Sequence, residues 1–346
     1  MNSEREFAMT NRDLVKRAIA HKEADRIPYA INFTQKAYDA YGMRVLEEYG
    51  NSKVRDAYES GNLSLSEAVS LAIGNHVFSI GAPWWDWYQV PEEYAMPDEP
   101  EELPHTRGTG SYEGFYQKVA YLRENFDVYI LTVIYGSHFE KANMARGIEN
   151  FLADLCAAPE FSKRILDFII EKNMVMLDNI ASTPEVDGIL LGSDWGTQTS
   201  LLMSPQTWRQ FIEPGERREF DLIRAHGKDC WLHSCGNIET ILPDIIDLGI
   251  QTVNPVQPEC MDVRHLKENY GDALTFWGGL STQRTLPYGT PQDVKNEAED
   301  LISFMPRNGG YILAPSQEIQ VDVPYENLKA LIDVARSYGM GENEKQ

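Results

Sequence analysis

Apolar positions along this chain fall into short dense runs separated by longer stretches in which they recur every three or four residues. Short continuous apolar runs suit strands covered on both faces, and the longer spacing suits amphipathic helices. Eight runs read as strands: Arg26–Phe33, Val77–Ile80, Asp127–Ile134, Val186–Leu191, Lys228–His233, Gln251–Asn254, Leu274–Trp277 and Tyr311–Leu313. A charged helix around Arg12–His21 precedes the first. Pro159–Ser182 carries Phe161, Ile165, Phe168 and Ile169 at helical spacing. Ser204-Pro205 reads as an N-cap followed by proline at the first helical position, opening a helix that runs to His226 and stops at Gly227. Pro214 lies inside that segment and predicts a kink or break. Helices over Ile238–Leu248, Asp293–Met305 and Tyr325–Tyr338 complete the alternation, with Gly249 and Gly339 as stops.

Eight strands alternating with helices predict an α/β fold of the (β/α)8 TIM barrel type. An open doubly wound sheet is the rival. It is disfavoured because Phe33-Thr34-Gln35, not a glycine-rich phosphate loop, follows the first strand. The reading is a single barrel domain over residues 1–346, with an N-terminal helical extension over about residues 1–25. Residues 51–121, rich in proline, glycine and aromatics, read as insertions and a lid. The acidic run Pro97-Asp98-Glu99-Pro100-Glu101-Glu102 reads as a solvated loop. Pro83-Trp84-Trp85-Asp86-Trp87-Tyr88 reads either as a pocket wall for a flat ligand or as a hydrophobic plug.

In such a barrel the chemistry sits at the carboxyl ends of the strands. Five consecutive strands end in unusual polar residues: Gly192-Ser193-Asp194-Trp195-Gly196-Thr197-Gln198, His233-Ser234-Cys235-Gly236-Asn237, Asn254-Pro255-Val256-Gln257-Pro258-Glu259-Cys260, Trp277-Gly278-Gly279-Leu280-Ser281 and Ser316-Gln317-Glu318-Ile319-Gln320. Alternation along a strand places His233 and Cys235 on one face, with Trp231 below them and Cys230 turned outward as a buried thiol. An imidazole and a thiolate two residues apart suit zinc. The same pair also reads as a hydrogen-bonded core histidine beside an unrelated cysteine. Further donors for a metal are available at Gln257, Glu259, Cys260, Gln317 and Glu318. Asp194 reads as a base, a cation-binding group or a turn cap. His76, His105 and His138 have no partner visible in the sequence and read as structural. His226 and His265 read as surface residues in helices, and Cys156 as a structural thiol near a helix start.

Charge and composition narrow the function. Of 346 residues, 53 are acidic and 31 basic, for a net charge of −22. Such a field repels phosphate backbones and anionic lipid, so neither nucleic acid nor a membrane surface is an expected partner. No apolar run approaches the ~20 residues of a membrane helix. Residues 1–22 lack the apolar core of a signal peptide, and four cysteines are too few for a disulfide framework. The expected setting is therefore the cytoplasm, with reduced thiols. Neither a nucleophile elbow of the Gly-x-Ser-x-Gly type nor a phosphate-binding loop occurs.

The strand ends quoted above, together with Tyr311-Ile312-Leu313-Ala314-Pro315-Ser316, resemble the uroporphyrinogen decarboxylase superfamily over nearly the whole chain. The resemblance implies a (β/α)8 barrel and divides by chemistry. The decarboxylase branch is metal-free and holds its polycarboxylate through arginines after the first strand. Here that place reads Asn32-Phe33-Thr34-Gln35-Lys36-Ala37-Tyr38, with no arginine before Arg44. The corrinoid-linked methyltransferase branch keeps a His-x-Cys pair as zinc ligands, as His233 and Cys235 would be. Its coenzyme M members place a further cysteine where this chain has Gln317.

The resemblance therefore implies a methyltransferase using Zn2+ and a corrinoid (cobalamin) carried by a partner protein. It would act on a small methylated substrate, a methoxylated compound in O-demethylation, or a thiol. His233 and Cys235 would be metal ligands, with Gln317, Glu259 or Cys260 as the third. Asp194 and Glu318 would be catalytic, and Gln198, Asn254, Gln257, Trp277 and Gln317 would bind substrate. A metal-free decarboxylase or lyase, and a non-catalytic barrel that binds a ligand or a corrinoid protein, are the alternatives.

Overall fold

The computed structural model describes residues 9–88, 96–106 and 111–341. The first eight residues of the expected N-terminal extension, and residues 89–95 and 107–110 of the expected lid, lie outside the described residues. The strands are β1 (Val77–Gly81), β2 (Tyr129–Tyr135), β3 (Gly188–Gly192), β4 (Asp229–His233), β5 (Thr252–Val256), β6 (Thr275–Leu280) and β7 (Tyr311–Pro315), ordered as in the chain. Among the described residues, seven of the eight expected strands are present. Chain contacts divide the molecule into two compact units, 1–78 with 125–129 and 255–346, and 79–124 with 130–254.

In the unit built on residues 130–254, β2, β3 and β4 form a parallel ladder that β5 extends. The register runs Tyr135↔Gly192 and Gly192↔His233, then His233↔Asn254, so these positions come level at the strand ends. All five residues of β3, Gly-Ile-Leu-Leu-Gly, are buried, which is why the strand is a continuous apolar run. The helix Pro159–Ala181 buries Ile165, Leu166, Ile169, Met176, Leu177 and Ile180 on one stripe. The break expected at Pro214 occurs. One helix, Pro205–Phe211, is capped by the Ser204 side chain and ends before Ile212. A second, Glu213–Ala225, starts with Pro214 in its first turn, where a missing N–H costs nothing. Cys230 is buried as expected, and burial pushes its thiol pKa up to about 12. Cys156 departs from expectation: it is exposed and sits near the end of the helix Ile148–Ala157. The aromatic segment resolves as a plug. Trp85 and Trp87 are buried against His105 and Phe168.

In the other unit β6 and β7 pair in parallel, Phe276↔Tyr311 through Leu280↔Pro315. The expected first strand, Arg26–Phe33, is not continuous. It makes only isolated parallel bridges, Tyr29↔Leu313 and Phe33↔Ile319. The reason lies in its partners. Pro28 has no N–H to give. On the other edge one backbone bond remains, from His76 N–H to Tyr29 C=O (3.0 Å), and two side chains take the rest of the ladder's place. Asn75 accepts from Ile31 N–H (2.9 Å) and donates to Ile31 C=O (3.1 Å), while His76 Nδ1 accepts from Tyr29 N–H (3.1 Å). The segment thus fills a strand's place with side-chain bonds in it.

That arrangement makes stability depend on pH. His76 is fully buried, and desolvation, with Arg26 adding to it, lowers its pKa to about 3. The unfolded imidazole titrates near ~6.5. Above that value the histidine is neutral in both states and its contribution is intact. As pH falls from about 6.5 toward 3 the unfolded chain gains a proton that the native one refuses, so stability is lost by roughly 1.4 kcal/mol per pH unit. Urea unfolding at pH 6 and pH 4 should show this extra slope in the wild type and not in His76→Gln. Equal slopes would remove His76 as the cause.

Candidate metal centre

The two expected metal ligands and Asp194, expected to be catalytic, converge within the unit 130–254. Asp194 follows β3, His233 ends β4 and Cys235 lies two residues on. One ligand atom from each lies within 4.8 Å of the others. His233 Nε2 is 3.5 Å from Cys235 Sγ and 3.6 Å from Asp194 Oδ1. Side-chain alternation, continued past the strand end, produces the first of these contacts.

The surroundings fix the chemistry of each donor. His233 Nδ1 is 2.7 Å from Asn254 Oδ1, the amide oxygen of its neighbour on β5. An amide oxygen only accepts, so Nδ1 carries the hydrogen and Nε2 presents its lone pair to the cysteine and aspartate. Burial lowers the imidazole pKa, with Asp194 opposing, and keeps the ring in its neutral, ligating form. Tyr135 meets the ring edge-on at 5.1 Å between centroids. Asp194 Oδ1 accepts the Cys235 backbone N–H at 2.9 Å, which holds the thiol's loop in place. Glu140, on the helix His138–Arg146, accepts the Asp194 N–H at 3.1 Å.

Two loops cross behind these donors. Ser234 Oγ accepts from Trp195 N–H (3.1 Å), and Asn237 N–H donates to Thr197 C=O (2.7 Å). The crossing is so close that a Cβ on Gly236 would lie 2.5 Å from the Gly196 carbonyl carbon and the Thr197 oxygen.

This donor set fits a zinc ion. A neutral imidazole, a thiol able to ionise and a carboxylate, with the second imidazole nitrogen tied to an amide oxygen, are the groups zinc sites use. Asp194 is thereby the third candidate donor within the same unit.

The remaining sequence candidates make other contacts. Gln198 is exposed in the turn that Thr197 and Ser200 close. Asn254, expected on substrate, is bonded to His233. Gln257, Glu259, Cys260, Trp277, Gln317 and Glu318 all belong to the other compact unit. There Glu259 accepts from Ser281 Oγ and from Arg284 Nε, the latter at 3.4 Å. Cys260 Sγ lies 3.8 Å from Gln257 Oε1, and burial raises its pKa. Trp277 is buried in β6, and Gln317 accepts the Glu318 N–H at 3.1 Å. Burial raises the Glu318 pKa.

Sequence reasoning missed Glu140 and Tyr135. Tyr135 ends β2 and Glu140 lies on the helix that follows, in the run Tyr135-Gly136-Ser137-His138-Phe139-Glu140, to which the same strand-end rule applies. Burial raises the Glu140 pKa, with the neighbouring Asp194 charge adding to it.

The family model for uroporphyrinogen decarboxylase (URO-D) matches residues 89–338, and the chain belongs to that family. Its sequence is 25% identical over 250 residues to a methylated-thiol–coenzyme M methyltransferase of Methanosarcina mazei, covering 71% of this chain and 62% of the relative. It is 31% identical over 137 residues to a methylcobamide:CoM methyltransferase of Methanosarcina barkeri, covering 40% of this chain and 38% of the relative. The matches thus span less than two thirds of these relatives' lengths. A solved methyltransferase structure from Methanosarcina mazei superposes with a TM-score of 0.66 at 18% identity, covering 95% of this chain and 99% of that one. The α/β barrel fold expected from the strand–helix alternation is therefore the fold of the protein.

Proposed function

We propose that the protein is a zinc-dependent methyltransferase that moves a methyl group between a small methylated substrate, or a thiol, and a corrinoid carried by a partner protein. The carrying observation is the convergence of His233 Nε2, Cys235 Sγ and an Asp194 oxygen within 4.8 Å at the ends of β3 and β4. The names of the two Methanosarcina relatives supply the reaction class. Against decarboxylation of a polycarboxylate stands the segment Asn32–Tyr38, which has no arginine to meet acidic arms.

His233, Cys235 and Asp194 would hold the metal, and Asn254 would keep the imidazole in the ligating tautomer. Bound there, zinc would supply a Lewis acid that polarises a methyl ether oxygen or lowers the pKa of an acceptor thiol. Asp194 holds the cysteine loop through its backbone N–H, so the thiol is pre-positioned. Glu140, raised by burial, is the group at this strand end suited to hold a proton closer to neutral pH. Roles for Gln198, Gln257, Trp277, Gln317 and Glu318 toward substrate remain part of the proposal on sequence grounds. The corrinoid protein is the proposed macromolecular partner, with a methoxylated donor as one substrate class. Among the described residues no helix is long and apolar enough to cross a membrane.

The test uses the zinc-loaded protein with methylcobalamin as the carrier surrogate and a panel of thiols that includes coenzyme M. Loss of the methyl–cobalt absorbance with matching thioether formation is expected. In the opposite direction, methoxylated aromatics or methyl thioethers are offered with a reduced corrinoid protein. Failure of every donor and acceptor in both directions, with metal bound, would reject the reading.

A further inference from the structure

We propose that His138, Glu216 and Glu219 form a second, wholly buried site for a divalent transition cation of the Zn2+ or Mn2+ type. It would tie the start of the helix His138–Arg146 to the helix Glu213–Ala225. All three side chains are essentially inaccessible, at 0%, 0% and 1% exposure. Their ligand atoms lie within 4.8 Å of one another. Glu216 and Glu219 are three residues apart, which puts them on one helix face. Gly215 lets the imidazole lie against that helix, because a Cβ there would be 2.8 Å from His138 Nε2.

The hydrogen-bond pattern calls for a cation. His138 Nε2 is 3.2 Å from the Ile212 carbonyl oxygen, so this nitrogen carries a hydrogen. The other nitrogen, Nδ1, faces Glu219 Oε2 at 3.1 Å and Glu216 Oε1 at 3.7 Å. A neutral imidazole therefore points a lone pair at two carboxylates. One proton on Nδ1 leaves these three buried groups together with one net negative charge, toward which the buried Lys141 ammonium is also drawn through Glu219. A second proton would have to sit on Glu216. Both Glu216 oxygens are buried without a hydrogen-bond partner, so the carboxyl is left unsatisfied by the protein's own donors. A divalent cation cancels both carboxylates and gives the bare Glu216 oxygens a partner.

The outer contacts match those of built metal sites. A ligating histidine commonly gives its second N–H to a backbone carbonyl, as His138 does to Ile212. Glu219 Oε1 accepts from Asn173 Nδ2 at 2.7 Å, and Asn173 Oδ1 in turn accepts from Trp85 Nε1 at 2.6 Å. Lys141, on the same helix as His138, places its Nζ 3.3 Å from Asp86. The second oxygen of Glu216 is available as a fourth donor. The site is separate from the strand-end donors, though Glu140 on the same helix bonds to Asp194. Holding His138 would thus steady the helix that carries Glu140.

The experiment removes the strand-end donors first. The variant carrying His233→Ala and Cys235→Ala is purified without chelator, and its metal content is measured by mass spectrometry. About one zinc or manganese per chain is expected to remain. Stripping it should lower Tm by roughly 5 °C, and Zn2+ or Mn2+ should restore it on refolding. Adding Glu216→Gln to this background should remove both the metal and the Tm response. A chain that holds no metal as purified, and whose Tm neither cation changes on refolding, overturns the proposal. So does metal that survives Glu216→Gln unchanged, which would mark it as adventitious. Because the strand-end donors are absent throughout, neither result bears on the methyltransferase reading.

Discussion

Replacing Cys235 by alanine is expected to remove metal from the proposed strand-end site and to lower the proposed methyl transfer by about a thousandfold or more, with the fold intact. The thiol is one of three donors gathered at this place, 3.5 Å from the lone-pair nitrogen of His233. Without it an imidazole and a half-exposed carboxylate remain, too few to hold zinc tightly. Loss of Lewis-acid assistance worth roughly 4 kcal/mol corresponds to about 10³ in rate. The side chain is only partly buried, so stability should change by about 1 kcal/mol or less. Metal content, thermal unfolding and turnover with methylcobalamin are read on the same preparation. Wild-type turnover in a variant that has lost the strand-end metal would end the zinc mechanism. Loss of turnover with metal content equal to that of the wild type would move Cys235 from ligand to substrate contact.

The second large effect belongs to Gly236→Ala. Gly236 has φ +82°, where an L side chain is strained by roughly 1–2 kcal/mol. Its missing Cβ also leaves room for backbone: a methyl would meet Gly196 C and Thr197 O at 2.5 Å. Backbone cannot swing aside as a long side chain can, so overpacking adds about 1–3 kcal/mol. The expected destabilisation is roughly 2–5 kcal/mol in urea unfolding. Displacing the neighbouring Cys235 should also weaken zinc binding at least tenfold. Gly227→Ala is the control. Gly227 has φ +71° but nothing within 4 Å of its added Cβ, so only the strain contribution applies. If the two variants lose equal stability, the loop crossing is pliable and its closeness does not position the cysteine.

Both expectations rest on features with very different visibility in the sequence. His233 and Cys235 could be read from alternation alone, because the two-residue period of a strand is a local rule. The break at Pro214 and the cap at Ser204 were equally local and are where they were expected. The interrupted first strand was not legible. Its apolar run matches a strand, and only the fold brings Asn75 and His76 beside Ile31 and Tyr29 to take over the ladder bonds. Asn254 was legible as a strand-end polar residue. That it bonds His233 depends on the β4–β5 register, which no local pattern states.

The chain by itself determined what depends on neighbours in sequence: the alternation of strands and helices, the helix ends, the family to which its motifs belong, and two of the donors at the strand-end site. The tertiary structure decided what depends on distant segments meeting. It set Asp194 beside His233 and Cys235, supplied Glu140 from a helix after β2, and closed His138 onto two glutamates some 80 residues away. The physical reason is range. Backbone periodicity and capping act over a few residues, whereas a hydrogen bond, a donor set or a buried charge is completed by whichever segment packing brings to it.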